Sequence, residues 1–248
     1  MNLARYFETL RISRSLRRTV RQHGFWFVDI PRTSSSSLRW ELAACFNPLY
    51  GKPSSWPGQP LSEEQPAPAH LTARNVRSML GARLWTDSYT FSVVRNPWDR
   101  TYSLYQYRIQ REGFPGDMRF TEYCQRLLAV RRGNYDPFFK NPLHHMSSCD
   151  FLGDGNGTFI VKAIVFFEQR SKGLRVVGEK IGCPNFGNKQ KMLASRHEGD
   201  PRPEMEDEAV DLISEAYADD LERFSYTYPP GENTGSAMID FSIAGRNK

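Results

Sequence analysis

Two short stretches of this chain carry residue types that could hold a phosphate or sulfate. In the first, PRTSSSS at residues 31–37, one guanidinium (Arg32) stands beside five hydroxyls in a row, Thr33, Ser34, Ser35, Ser36 and Ser37. In the second, Arg95 is followed by Asn96 and Pro97, and Ser103 comes eight residues after the arginine. Hydroxyls donate to anion oxygens, and a planar guanidinium can grip two oxygens at once. Each stretch follows a short apolar run, FWFVDI at 25–30 or YTFSVV at 89–94, and precedes apolar residues at helical spacing. These are Leu38, Leu42 and Cys45 in one case, and Tyr102, Tyr105 and Ile109 in the other. Strand, polar turn and helix therefore follow one another twice. The first turn of a helix has unpaired N–H groups and partial positive charge, so both turns are ready anion sites. A serine-rich turn that only caps its helix gives the same local pattern.

The elements that must carry these turns extend along the chain. A helix is expected over 120–130, an irregular stretch over 133–149, and a third apolar run at 159–167 (FIVKAIVFF). Leu174, Val177 and Ile181 mark a helix that Gly182 and Pro184 end, and Met205, Ala209, Leu212, Ile213, Ala216 and Leu221 mark another. Strands alternating with helices predict an α/β fold, a single domain with a central, mostly parallel sheet flanked by helices. Ligands bind such sheets beyond the carboxyl ends of the strands, where both turns lie. The boundaries are a basic helical extension at 1–23, the domain at 24–226, and a loosely packed tail at 227–248. Residues 47–70, rich in Pro, Gly and Ser, read as a surface loop or lid.

The bulk properties narrow the class. The 248-residue chain carries 33 Lys and Arg against 28 acids, a net charge of +5 that suits an anionic ligand but does not imply nucleic acid. Its mean hydropathy of −0.59 and the lack of a long apolar run exclude a spanning helix, so a soluble protein is expected. Cys45, Cys124, Cys149 and Cys183 form no CxxC pair, which points to a reduced, cytoplasmic compartment and no metal. The first 24 residues hold six arginines, with Leu3, Phe7 and Leu10 along one face. They read as a solvated helix against the domain, with peripheral contact to an anionic membrane as an alternative.

The segment FWFVDIPRTSSSSL resembles the 5′-phosphosulfate loop of the sulfotransferase superfamily, most like its carbohydrate-type branch. FSVVRNPWDRTYSLYQY resembles that family's 3′-phosphate motif, an apolar strand, Arg-Asn-Pro, and a serine eight residues after the arginine. LHHMSSCDFL, IVFFEQ and YADDLERFSY resemble later family segments more loosely. The resemblance implies a P-loop-like fold that binds 3′-phosphoadenosine-5′-phosphosulfate, without a metal, and transfers its sulfuryl group to an acceptor. It implies that Arg32 stands for the usual lysine near the bridging oxygen, and that Thr33 and Ser34–Ser37 surround the 5′-phosphate. Arg95 and Ser103 would grip the 3′-phosphate.

Two departures from the family pattern stand out. Serines 34 and 35 replace paired glycines, so the loop must use an ordinary turn or carry strain. Arg32 replaces a compact lysine. The acceptor's proton needs a base, for which His144 and His145 lead, and Glu41 and Asp99 rank lower; His70 is assigned no role. The acceptor is a small molecule, glycan or lipid-like alcohol, with Trp56, Tyr135, Phe138 and Phe139 as candidate lining. Asn188 and Lys189 could close over the nucleotide. The alternatives are a noncatalytic nucleotide- or glycan-binding protein and a phosphotransferase. The second lacks the G-x-x-x-x-G-K-[ST] loop it would need.

Overall fold

Strand β1 (Phe25–Val28) is buried along its whole length, and so are all but the first residue of β2 (Tyr89–Val94) and all of β3 (Ala163–Phe166). Such runs form because aromatic and β-branched residues with no polar alternation leave no face for water. In the computed structural model these three strands pair in parallel, and β4 (Met238–Asp240) adds antiparallel to β3, giving the order β1-β2-β3-β4. The structure describes residues 3–46, 70–111, 113–139, 141–187, 205–230 and 236–242. The proposed lid with Trp56, and Asn188 and Lys189, lie outside the described residues.

Register brings Phe27 opposite Phe91, and their rings stack at 5.1 Å. An aromatic pair of this kind adds about 0.5–1.5 kcal/mol beyond burial. The helices flank the sheet: α1 (Leu3–His23), α2 (Ser35–Phe46), α3 (Ala73–Leu80), α4 (Ala82–Asp87) and α5 (Pro97–Arg111). They continue with α6 (Phe120–Arg131), the short α7 (Pro142–His145) and α8 (Ser148–Leu152), α9 (Arg170–Ile181), α10 (Asp207–Ala216) and α11 (Ala218–Phe224). This is a mixed α/β single domain with one small sheet. Helix α9 lies so close to β3 that a Cβ on Gly173 would stand 2.6 Å from Val165 Cγ1, so only glycine fits there. The helix expected over 204–224 is divided into α10 and α11, with Tyr217 between them.

Helix α1 packs on α3 and α4 through Leu16, Thr19 and Val20, all fully buried. Arg11, Arg14, Arg17, Arg18 and Arg21 are exposed, and Arg17 Nε donates to the Met79 carbonyl at 2.7 Å, tying α1 to α3. No described helix is long and apolar enough to cross a membrane.

Two expectations change. The tail is not uniformly loose, because Met238, Ile239 and Asp240 form the edge strand, and Lys180 Nζ donates to Asp240 at 2.5 Å. Three residues beside glycine and proline give too little periodicity to read as a strand. Cys45 and Cys183, far apart in sequence, are joined by a disulfide, with Cα atoms 6.2 Å apart. The last turn of α2 meets the residue that follows the Gly182 cap of α9, an adjacency that spacing along the chain does not encode. Cys124 and Cys149 are free thiols.

Candidate functional site

Because β1, β2 and β3 run in parallel, the residues that follow them share one edge of the sheet. After β1 the chain turns through residues 29–34 into α2. Arg32 (φ 66°) and Ser34 (φ 68°) both adopt the left-handed conformation. The departure from glycine is therefore met by strain, of order 1 kcal/mol or more for each such residue. Three bonds hold the turn. Thr33 Oγ1 donates to the Ile30 carbonyl at 2.9 Å, Ser34 O accepts the first helical bond from Leu38 N, and the buried Arg100 donates from Nε to Pro31 O at 3.1 Å. One prediction follows for the strain. Ser34→Gly and Ser34→Ala both lose the hydroxyl, but only glycine relaxes the backbone, so thermal unfolding should find Ser34→Gly more stable by about 1 kcal/mol. Equal stability would show that the turn is unstrained.

After β2, Asn96 caps α5. Its Oδ1 accepts from Asp99 N at 2.8 Å and its Nδ2 donates to Asp99 Oδ2 at 2.8 Å, while Glu168 Oε1 accepts from Asn96 N and Nδ2 at 2.8 and 2.9 Å. Glu168 belongs to the short 3-10 turn Phe167–Gln169 after β3. The third strand end thus braces the second.

On this frame three guanidinium groups come together. Arg32 donates to Ser103 Oγ from Nε at 3.0 Å and from Nη2 at 2.9 Å. Arg95 Nη1 lies 3.4 Å from the Arg32 carbonyl, and Arg170 Nη1 donates to Ser34 Oγ at 2.7 Å. Arg95 and Arg170 both lie over the Phe167 ring, at 4.5 and 5.4 Å from its centre, and Arg32 lies over Tyr107 at 5.0 Å. The nearest carboxylates are already engaged, Glu168 by Asn96 and Asp99 by Asn96 and, at 3.9 Å, by Arg95. The cluster is half-buried and strongly positive, beside the N-termini of α2 and α5. Guanidinium groups and helix N-termini arranged in this way can bind an anion.

The residues singled out by sequence fall into two groups. Arg32, Ser34, Arg95 and Ser103 share this cluster, and Ser36 and Ser37 stand half-buried in the first turn of α2. Thr33 and Ser35 are buried, and the Thr33 hydroxyl is spent on its own turn. Arg170 carries no local sign of its role, since the helix it opens has no serine-rich approach.

His144 is half-buried at 6.4 Å from Tyr107, ring centre to ring centre, and His145 is buried against Phe139 at 5.7 Å. Burial lowers both imidazoles to about 4. Neighbouring positive charge adds to this, from His70, Arg108, His145 and Arg32 for His144, and from Arg108, Arg131 and Arg100 for His145. Only His144 feels Arg32. His145 instead serves the core, its carbonyl accepting from Tyr217 Oη at 3.1 Å.

The sign of the stability effect follows. Between pH 6.5 and 4 the unfolded chain takes up protons at these rings that the folded chain does not. Stability should therefore fall as pH drops through that window, and His145→Gln should flatten the fall. Urea unfolding at pH 7, 5.5 and 4.5 checks it; an unchanged slope in the variant would place the proton uptake elsewhere.

His70 has a sharper geometry. Its backbone N donates to Asp29 Oδ1 at 3.0 Å and its Nδ1 lies 3.0 Å from the Asp29 carbonyl oxygen. A carbonyl only accepts, so Nδ1 is the donor, and it also lies 3.5 Å from Asp29 Oδ2. Asp29 is itself held by Arg39 Nη1 at 3.0 Å, and the His70 ring meets His144 edge-on at 6.0 Å.

Glu41, buried, accepts from Gly187 N at 2.7 Å and is thereby committed to structure. Of the aromatics proposed to line an acceptor site, Tyr135 is 87% exposed and Phe138 39% exposed, whereas Phe139 is in the core. No protein-family model, curated protein or solved structure matches the chain.

Proposed function

We propose that the chain is a sulfotransferase of P-loop-like fold that binds 3′-phosphoadenosine-5′-phosphosulfate and passes its sulfuryl group to a hydroxyl or amine. The observation that carries this reading is the convergence of Arg32, Arg95 and Arg170 with Ser34 and Ser103 on one strand edge. A nucleotide with phosphates at both ends of its ribose would use all of them. The turn after β1, with Arg170, takes the 5′ end, and Arg95 with Ser103 takes the 3′-phosphate.

The acceptor heteroatom forms a bond to sulfur while the bond from sulfur to the 5′-phosphate oxygen breaks. The leaving oxygen gains negative charge, which Arg32 neutralises, and preformed positive groups at such a position are the main electrostatic source of rate. The acceptor's proton passes to a base. Proton uptake at His144 is opposed by burial, and the His70 ring is oriented by its Nδ1 bond to the Asp29 carbonyl, so His70 Nε2 is assigned that role. Transfer releases 3′,5′-adenosine bisphosphate and a sulfated small molecule, glycan or lipid-like acceptor.

Titration calorimetry against 3′,5′-adenosine bisphosphate, AMP and ATP tests the reading. Clear preference for the bisphosphate is expected, and comparable affinity for all three would overturn it. The noncatalytic alternative draws on one observation, that Arg32 is held on Ser103 by two bonds and must leave it to reach a leaving oxygen. Donor binding without product across a broad acceptor panel would favour it.

A further inference from the structure

We propose that the outer face of α1 docks the protein on the surface of an anionic lipid bilayer. From residue 11 to residue 22 the fully exposed positions are Arg11, Arg14, Arg17, Arg18, Arg21 and Gln22. Five of the six are arginine, a composition that solubility does not require. Arg11, Arg14, Arg18 and Arg21 step by three and four residues, which sets them along one side of the helix over about 15 Å.

The packing of α1 explains why this side is outward. Leu16, Thr19 and Val20 are spent on the domain, so the helix cannot turn its apolar side to a membrane without leaving the fold. Among the described residues no carboxylate pairs with these four arginines. The neighbouring helices do not balance them: α3 adds Arg74 and Arg77, both exposed, and α4 adds Arg83, whose 3.8 Å pair with Asp87 is exposed on both sides. Among the side chains described on these three helices, eight exposed arginines stand with one exposed acid, Asp87, a local charge of +7 against +5 for the whole chain. The excess of positive charge is therefore concentrated on this layer, away from the nucleotide edge.

Guanidinium forks match phosphate and carboxylate headgroups. A bilayer also suits a convex helical ridge, because its headgroups diffuse laterally and can meet whatever spacing the helix dictates. With no apolar side chain among the exposed positions from residue 11 to residue 22, the contact of this stretch is electrostatic and reversible rather than inserted.

The test uses the full chain in flotation with phosphatidylcholine vesicles, with and without phosphatidylserine, at low and high salt. Binding is expected only to the anionic vesicles, and it should fall steeply with salt. Arg14→Gln/Arg18→Gln should lower it by about 30-fold, at about 1 kcal/mol for each basic residue near the surface. Lys172→Gln/Arg175→Gln, which removes the same charge from the exposed side of α9, should leave it within about 2-fold. Unfolding curves confirm that the α1 variant is folded, and if it is not, Arg14→Lys/Arg18→Lys should retain binding where the α9 variant does. Equal binding to neutral vesicles, equal losses in both variants, or retention on a soluble acidic polysaccharide without vesicle binding would each overturn the proposal. None of these readouts depends on sulfuryl transfer.

Discussion

Arg95→Ala is expected to weaken binding of 3′,5′-adenosine bisphosphate by about 2 to 5 kcal/mol, roughly 30- to 5,000-fold, while leaving AMP affinity nearly unchanged. The size comes from removing one member of a charged, partly desolvated contact and leaving the phosphate without its fork. The selectivity comes from position. Arg95 follows β2 and is held over Phe167, whereas AMP offers only the 5′-phosphate, which on the proposed reading goes to the turn after β1 and Arg170. Arg95 Nη1 also touches the Arg32 carbonyl at 3.4 Å, so truncation could loosen the turn itself. Arg95→Lys separates the two effects, because it keeps charge but not the planar fork. Titration calorimetry reads both variants. Equal losses for AMP and the bisphosphate would make Arg95 a brace of the turn rather than a reader of the 3′ end.

The second large effect is expected at His70. A positioned base contributes about 10²- to 10⁴-fold to turnover, so His70→Asn should lower the rate by that order and leave bisphosphate affinity unchanged. Asparagine is the informative replacement, since its side-chain N–H can still donate to the Asp29 carbonyl and hold the segment after residue 69 in place. Single-turnover assays with donor and acceptor give the rate, and calorimetry gives the affinity. If His70→Asn turns over normally and His144→Asn does not, the proton goes to His144. If both variants lose donor binding equally, the histidines are structural.

The contrast between His70 and Arg95 shows what kind of information the sequence holds. Arg95, Asn96 and Ser103 lie within nine residues, and strand, cap and helix follow from local rules, so their placement at the end of β2 and on α5 was legible, whereas the bonds from Arg32 to Ser103 were not. The dilemma at Ser34 was legible too, as a choice between an ordinary turn and a strained one; a φ of 68° decides for strain. His70 was not legible because its partner Asp29 is 41 residues away, and the proline-rich stretch before it has no periodicity to fix a direction. Arg170 was hidden for a related reason. It meets Ser34 across 136 residues, through the parallel pairing of β2 with β3 and the close seat of α9 on β3. His144 and His145 are adjacent in sequence, with His144 the first choice as base by resemblance, and burial separates the half-buried ring from the one packed on Phe139.

The bridge between Cys45 and Cys183 closes residues 45–183 into a covalent ring that contains α3 to α9, β2 and β3. A single protease cut anywhere between residues 46 and 182 opens that ring without releasing a fragment. The cleaved chain would run as one molecule without reductant and as two with it. A cut before residue 170 would also keep Arg32 on one segment tethered to Arg170 on the other, so a preparation nicked there can retain the whole anion cluster until its disulfide is reduced.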